Sequence, residues 1–284
     1  MTEANKDQAA FWNADAGQCW TRFHADLDAM HAEVTALLMA TCAARPGESV
    51  LDIGSGAGGS TFELARAVGP EGQVLGLDIS APLVTEAREI AAASGVSNAR
   101  FDLGDAQDMA LPRAAFDLAA SRFGVMFFAD PLAAFRNIAT ALKTGGRFVF
   151  VAWAGPEHNP WFATPGRIAQ ARLGALPPSP PEAPGPMAFR DADRVVGLLG
   201  AAGFEEARAE PVDLHLVLPG GIPAALNLLR HIGPIPGVIR AHGGTEEDVQ
   251  AIHAEVAEAF AAYAGRDGLA LPARVACFSA HRPA

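Results

Sequence analysis

From Ser49 onward, short apolar runs alternate with amphipathic stretches. Runs over 50–53, 74–78, 100–103, 116–120 and 147–153 predict five buried strands. The stretches between them predict helices over 57–68, 81–94 and 131–143. Punctuation supports the boundaries. Gly69-Pro70 ends the first helix and Gly95 stops the second. Asp130 sits as N-cap of the third, with Pro131 in the first position and Gly145-Gly146 as the stop. Strands alternating with helices predict an α/β fold: a Rossmann-like, mostly parallel sheet with helices on both faces.

The flanks read differently. Residues 1–45 are predicted helical. Phe11, Trp12, Trp20, Phe23, Leu27, Met30, Val34, Leu37, Leu38 and Cys42 recur there, in three- and four-residue steps from Phe23 onward. Arg45-Pro46-Gly47 breaks that pattern. Nine prolines between Pro156 and Pro186 predict an irregular insertion, with at most a short helix near 165–173. A helix over 191–202, a long strand over 206–218 and a last strand centred on 275–278 follow. Thr245 and Asp248 have the spacing of a capping box opening a helix that runs to about Ala264.

Composition narrows the class. The 284 residues are half hydrophobic, enough to bury a large core. No apolar run approaches the ~18–20 residues of a membrane span, and MTEANKDQAAFWN lacks a secretory leader's pattern. The expectation is a cytoplasmic protein. A net charge of −11 disfavours phosphate backbones, so no nucleic-acid partner is expected. Cys19, Cys42 and Cys277 are too widely spaced for a disulfide framework or a zinc site. Free thiols and no metal are expected.

The candidate chemistry lies where the first strand meets the first helix. Asp52, Gly54, Ser55, Gly56 and Gly59 fall there, and the glycines fit the G-x-G-x-x-G spacing. Glycines let the backbone turn tightly and approach a ligand. That spacing alone also fits a dinucleotide enzyme. Asp52 shifts the balance, because a carboxylate beside the loop suits an ammonium, as in the methionine part of S-adenosylmethionine (SAM), and ill suits a pyrophosphate. Asp78 ends the second strand, where a carboxylate accepts from both ribose hydroxyls. Asp105-Ala106 follows the third strand, with an acid for an adenine amino group and a backbone N–H for its ring.

With these residues in place, the segment from about Gly47 to Trp161 resembles the class I SAM-dependent methyltransferases. The ubiquinone and menaquinone biosynthesis branch is the most similar pattern. VLDIGSGAGGSTFELA resembles the family's first motif, VLGLDIS the second, and Gly104-Asp105-Ala106 the adenine motif. FDLAASRFGVMFFADP and LKTGGRFVFVAW resemble the fourth- and fifth-strand segments. Ser55 stands where many members carry cysteine. The resemblance implies a seven-stranded sheet whose last strand is antiparallel, with 206–218 and 272–281 as strands six and seven. It implies SAM as cofactor, S-adenosylhomocysteine (SAH) as product and no metal. Ile79 and Ser121 join the acids and glycines as expected cofactor contacts. The expected units are a helical lid over 1–45, a SAM-binding core over 46–155, a proline-rich insertion over 156–190, and 191–284 as the rest of the core with a helical substrate cover.

On that reading the methyl group is displaced in line by a nucleophile of a small-molecule acceptor, aromatic or quinone-like, with O, N and C all open. Trp20 closes over the cofactor, or packs in the lid. Trp12, Arg122, Phe123, Met126, Trp153 and Trp161 are candidates for the acceptor pocket, Arg122 as partner of an acidic group. His158 is the candidate base, against its place in a loop. Rivals remain. An NAD(P)-dependent oxidoreductase shares the glycine loop but not Asp52, and a nucleic-acid methyltransferase lacks its usual motif after the fourth strand. A SAM-binding protein without turnover would share every motif. A homodimer stays open.

Overall fold

The computed structural model describes residues 5–284. The chain opens with four short helices, α1 (Lys6–Asn13), α2 (Asp15–Arg22), α3 (His24–Met30) and α4 (Ala32–Cys42). The predicted stretch over 1–45 is therefore helical but jointed, and residues 1–4 of it lie outside the described residues. Phe23, Leu27, Met30, Val34, Leu38 and Cys42 form its buried face, at the spacing read from the sequence. Arg147 ties down its end, donating to the carbonyls of Cys42 (3.0 Å) and Ala43 (3.2 Å) and to both carboxylate oxygens of Glu48. A cation there satisfies the last carbonyls of a helix.

The alternating region follows as β1 (Ser49–Ile53), α5 (Gly59–Val68), β2 (Gln73–Asp78), α6 (Ala81–Ser94), β3 (Ala99–Leu103), β4 (Phe116–Arg122), α7 (Pro131–Ala141) and β5 (Leu142–Trp153). Then come α8 (Pro160–Leu173), α9 (Ala192–Ala201), β6 (Glu205–Leu218), α10 (Gly221–Leu229), α11 (Pro234–His242), α12 (Glu246–Phe260), β7 (Ala264–Gly265) and β8 (Gly268–His281). The strand order is β3-β2-β1-β4-β5-β8-β6, with the two-residue β7 paired to β8. Strands β1 to β5 pair in parallel, and β8 runs antiparallel to both β5 and β6. The expected seven-stranded sheet with a reversed last strand is present. In β5 every residue from Phe148 to Trp153 is buried, so both faces of the sheet are covered there.

Asp130 and Asp191 cap α7 and α9 through their side chains, and Thr245 with Asp248 forms the full capping box of α12. The predicted end of α7 at Lys143 moves to Ala141, because Leu142 already pairs with Phe116. The long helical segment after β6 is three helices, separated at Gly233 and Gly243, both in the left-handed region. All three cysteines are free. Among the described residues no helix is long and apolar enough to cross a membrane.

The proline-rich insertion needs a correction. Its first part is a fourteen-residue helix, α8, which starts at Pro160 and runs through Pro165. Proline at the first position removes an N–H that would be unsatisfied anyway. Asn159, fully buried, anchors the start. Its amide donates to the carbonyls of Ala154, Gly155 and Arg274 at 3.0–3.2 Å, and its oxygen accepts from the Arg274 N–H at 3.1 Å. α8 then packs against α11 and α12. Tertiary contacts thus outweigh the local cost of Pro165. Asn159→Ala removes these four hydrogen bonds from partly buried backbone, and should lower the unfolding free energy by about 2–4 kcal/mol in urea titration. An unchanged midpoint would remove Asn159 as the anchor.

Candidate cofactor and substrate cleft

After Ile53 the chain bends through Gly54, Gly56 and Gly58, all at positive φ, into α5. The Gly54 and Ser55 N–H groups both donate to the Leu77 carbonyl, at 2.8 and 3.2 Å, which holds the bend against the end of β2. Gly54 and Gly56 do different work. A Cβ on Gly54 would stand 2.5 Å from the Cα of Gly124, just past β4. A Cβ on Gly124 would stand 2.6 Å from the Cα of Gly54. Two backbones therefore touch there. A Cβ on Gly56 would meet no protein atom within 4 Å. Gly54 makes room for protein, whereas Gly56 leaves space open beside the bend.

That space belongs to a cleft of about 720 Å³, counted to its open mouth. Gly54, Gly56, Asp78, Ile79, Asp105 and Ala106 line it, as expected from the sequence. Asp78 accepts from the Gly56 N–H and the Ser80 N–H, each at 2.8 Å. Burial raises its pKa, and those backbone donors oppose the rise. Asp105 accepts from the Gln107 N–H at 2.9 Å and from the Asn5 amide at 2.6 Å.

Asp52 is placed differently. It is fully buried and does not line the cleft; it sits behind the wall. One carboxylate oxygen accepts from the hydroxyls of Ser60 (2.7 Å) and Thr61 (2.6 Å), tying the start of α5 to the end of β1. The other, Oδ1, has no partner among the described residues. Burial lifts its pKa from 3.8 to about 6, against the pull of the two hydroxyls and of Arg122.

The remaining walls come from the lid and the β4 exit. Trp12 and Trp20 both line the cleft and meet edge-to-face, ring centroids 5.6 Å apart. Trp12 also stands edge-on to Phe127. The lid is fastened to the β2–α6 connection. The Ser80 hydroxyl donates to the Trp12 carbonyl at 2.8 Å, while the Asn13 amide donates to the Ile79 carbonyl and accepts from the Ala81 N–H. Arg122 lines the cleft, but its guanidinium pairs with Asp28 and donates to the Thr35 hydroxyl. Phe123 holds a positive φ of 68°, a strained setting for a residue with a side chain. Its ring lies flat on Trp153, centroids 4.2 Å apart.

A profile of methyltransferase domains matches residues 44–162, the stretch that builds this bend and its acids. This segment is similar to the class I SAM-dependent methyltransferases. Over 186 residues the chain is 33% identical to nocamycin O-methyltransferase of Saccharothrix syringae, covering 62% of this chain and 65% of that protein. Over 116 residues it is 34% identical to the ubiquinone/menaquinone biosynthesis C-methyltransferase UbiE of Teredinibacter turnerae, covering 40% of this chain and 47% of that protein. The chain thus spans about half to two thirds of the length of these curated relatives. The fold is similar to that of the YcgJ protein of Bacillus subtilis, with a TM-score of 0.57, 20% identity, and coverage of 89% of this chain and all of that one.

Several of the contacts expected from the sequence lie outside the cleft wall. Ser121 is fully buried, donating to the Ile53 carbonyl at 2.7 Å and accepting from the Gly124 N–H at 3.1 Å, so it welds the two touching loops. Ser55 is buried with its hydroxyl unpartnered. Met126, Trp153 and Trp161 are core residues, Trp153 serving as backing for Phe123. His158 stands on an exposed 3₁₀ turn after β5, 3.6 Å from Glu157, and borders a different, shallow surface depression. It is not brought to the cleft, because the turn faces Asp213 and His215 instead. Unforeseen lining residues include Asn5, Gln8, Leu83, Gly124 and Phe128. Only Gly124 left a local signal, a glycine just past an apolar strand.

The residues present fit SAM. Gly56 leaves approach space, Asp78 and Asp105 offer carboxylates on the wall, and the orphaned Asp52 oxygen puts an acid behind it. The glycine contrast can be measured. Gly56→Ala should fold with a strain cost of about 1–2 kcal/mol but lose SAH affinity at least ~10-fold in titration calorimetry. Gly54→Ala should lose stability first, since its methyl meets backbone. Equal behaviour of the two variants would contradict the division.

Proposed function

We propose that this protein transfers the methyl group of SAM to a small planar acceptor whose nucleophilic atom is already acidic, such as a phenol or an enol. The observation that carries this is the lack of a free base in the cleft among the described residues. Its titratable walls are Asp78, Asp105 and Arg122, and each already has partners. The closest buried imidazole, His31, packs behind Phe123, 5.3 Å between centroids. Burial and the Arg122 charge depress its pKa to about 3, so the ring stays neutral and has little drive to take up a second proton.

When bound, SAM supplies an electrophilic methyl on a sulfonium. The chain's own part is orientation and exclusion of water. Asp78 accepts from the ribose hydroxyls, Asp105 from the adenine amino group, and Asp52 acts on the methionine ammonium through its field. The aromatic faces of Phe123, Trp12 and Trp20 set a flat acceptor beside the methyl. The similarity to nocamycin O-methyltransferase extends further along the chain than that to UbiE, which favours oxygen over carbon. A panel of phenols and enols of graded acidity, with SAH release as readout, tests the proposal. Turnover should rise with the ionised fraction of each acceptor. Equal turnover of unactivated alcohols would require a base and sink this mechanism. Tight SAH binding with no turnover across the panel would favour a SAM-binding protein without catalysis.

Asp78→Ala should weaken SAH binding by about 1–3 kcal/mol, since two ribose hydroxyls lose an ionised acceptor. Unchanged affinity in a folded variant would move the ribose elsewhere. Asp52 predicts a pH dependence. With a folded pKa raised from 3.8 to about 6, Asp52 favours the apo fold most below pH 4, and that share fades as pH rises through 6. A bound ammonium favours the ionised form, so ligand affinity changes in the opposite sense. It should fall up to about four-fold between pH 7.5 and 5.5, as the ionised fraction drops. Asp52→Asn should flatten most of that slope, leaving what the raised Asp78 contributes. An unaltered slope would detach Asp52 from the ligand.

A further inference from the structure

At the Asp105 end of the cleft, two side chains from α1 and its N-cap present buried polar atoms that the protein does not satisfy. Asn5 is only 3% exposed, and its Oδ1 has no hydrogen-bond partner among the described residues. Gln8, one turn on, has its Oε1 buried in the same condition. Both residues line the cleft with Asp105 and Ala106. A buried carbonyl oxygen without a donor costs roughly 1–3 kcal/mol, so a pair of them at one cleft end points to a missing N–H.

The orientation of the Asn5 amide is not free. Its Nδ2 donates to Asp105 Oδ2 at 2.6 Å. A carboxylate only accepts, so the amide must give Asp105 its nitrogen and turn its oxygen elsewhere. Asp105 is held in turn by the Gln107 N–H. The acid therefore sets the amide, and the amide leaves a second acceptor next to the acid. α1 cannot swing freely about this contact, since Asn13 at its far end is bonded to both Ile79 and Ala81.

We infer that Asn5, supported by Gln8, is a specificity-determining residue that joins Asp105 in accepting from the 6-amino group of the cofactor's adenine. This rests on the cofactor reading given above. An exocyclic amine brings two N–H donors to the acceptor pair that Asp105 and the fixed Asn5 oxygen make. A 6-oxo purine would bring an oxygen to the same pair. Reversing the Asn5 amide to greet that oxygen would set its own carbonyl against Asp105. The lid thereby completes the adenine site and discriminates the amino purine from the oxo purine.

The test compares SAH with S-inosylhomocysteine, its 6-oxo counterpart, by titration calorimetry on the full chain. Wild type should prefer SAH by at least about a hundred-fold. Asn5→Ala should lower SAH affinity about ten-fold while leaving the inosyl compound unchanged or slightly tighter, so that the preference shrinks. Gln8→Ala should shrink it less. Tryptophan fluorescence of Trp12 and Trp20 reports whether the lid stays docked in each variant. Tighter SAH binding by Asn5→Ala would mean the amide blocks the site, and would overturn the inference. Equal losses for both ligands would reduce Asn5 to lid packing and overturn it too. Wild type that binds neither compound would instead bring down the cofactor reading itself.

Discussion

The site depends on one contact between two backbones. Gly54, leaving β1, and Gly124, leaving β4, approach so closely that neither tolerates a methyl group. β1 and β4 are neighbours in the sheet, paired Leu51 to Ala119, so the contact extends their pairing beyond the last rung. Ser121 bonds to both sides of the seam. The seam makes a rigid floor. Asp78 and Asp105 stand at known places above it because β2 and β3 continue the same parallel register. Without that floor, the acids would have nothing to be placed against.

Burial of charge follows from the same geometry. Asp52 lies behind the floor, where water does not reach, and is kept partly ionisable by the Ser60 and Thr61 hydroxyls and the Arg122 charge. Arg122, at the end of β4, puts its cation against Asp28 of α3 instead of into the cleft. That pairing, with Thr35, binds α3 and α4 to the end of β4. The lid is thus fastened at two separated points, the Arg122 clasp and the Asn13 bridge to the β2–α6 connection.

The sheet was legible because its signals are local. Apolar runs of strand length, Asp130-Pro131 and the Thr245–Asp248 box each carry their own stereochemistry. Asp78 and Asp105 were legible because the ends of parallel strands face one edge, where ligands gather. What escaped reading depends on distant partners. α8 forms through Pro165 because Asn159 is pinned by Arg274, a residue from β8. Asn5 and Gln8 reach the cleft only because α1 docks on Ile79 and Ala81, and nothing in their spacing marks them. Ser121 was read as a cofactor contact and Met126, Trp153 and Trp161 as acceptor wall; all four are buried and none lines the cleft. Strand-end position tells which edge a residue is near, not which side of the backbone its side chain takes. His158 sits after the right strand but on a turn that faces away.

Phe123 carries a consequence for how the acceptor pocket can diversify. Its left-handed backbone is imposed by the turn into Gly124, not by its ring. Unbranched residues other than glycine, asparagine and aspartate bear much the same conformational burden there, so exchanging one such side chain for another leaves that burden nearly constant. Differences among such replacements would then report the shape and polarity offered against Trp153 alone. Glycine would relax the turn and remove the wall in the same stroke.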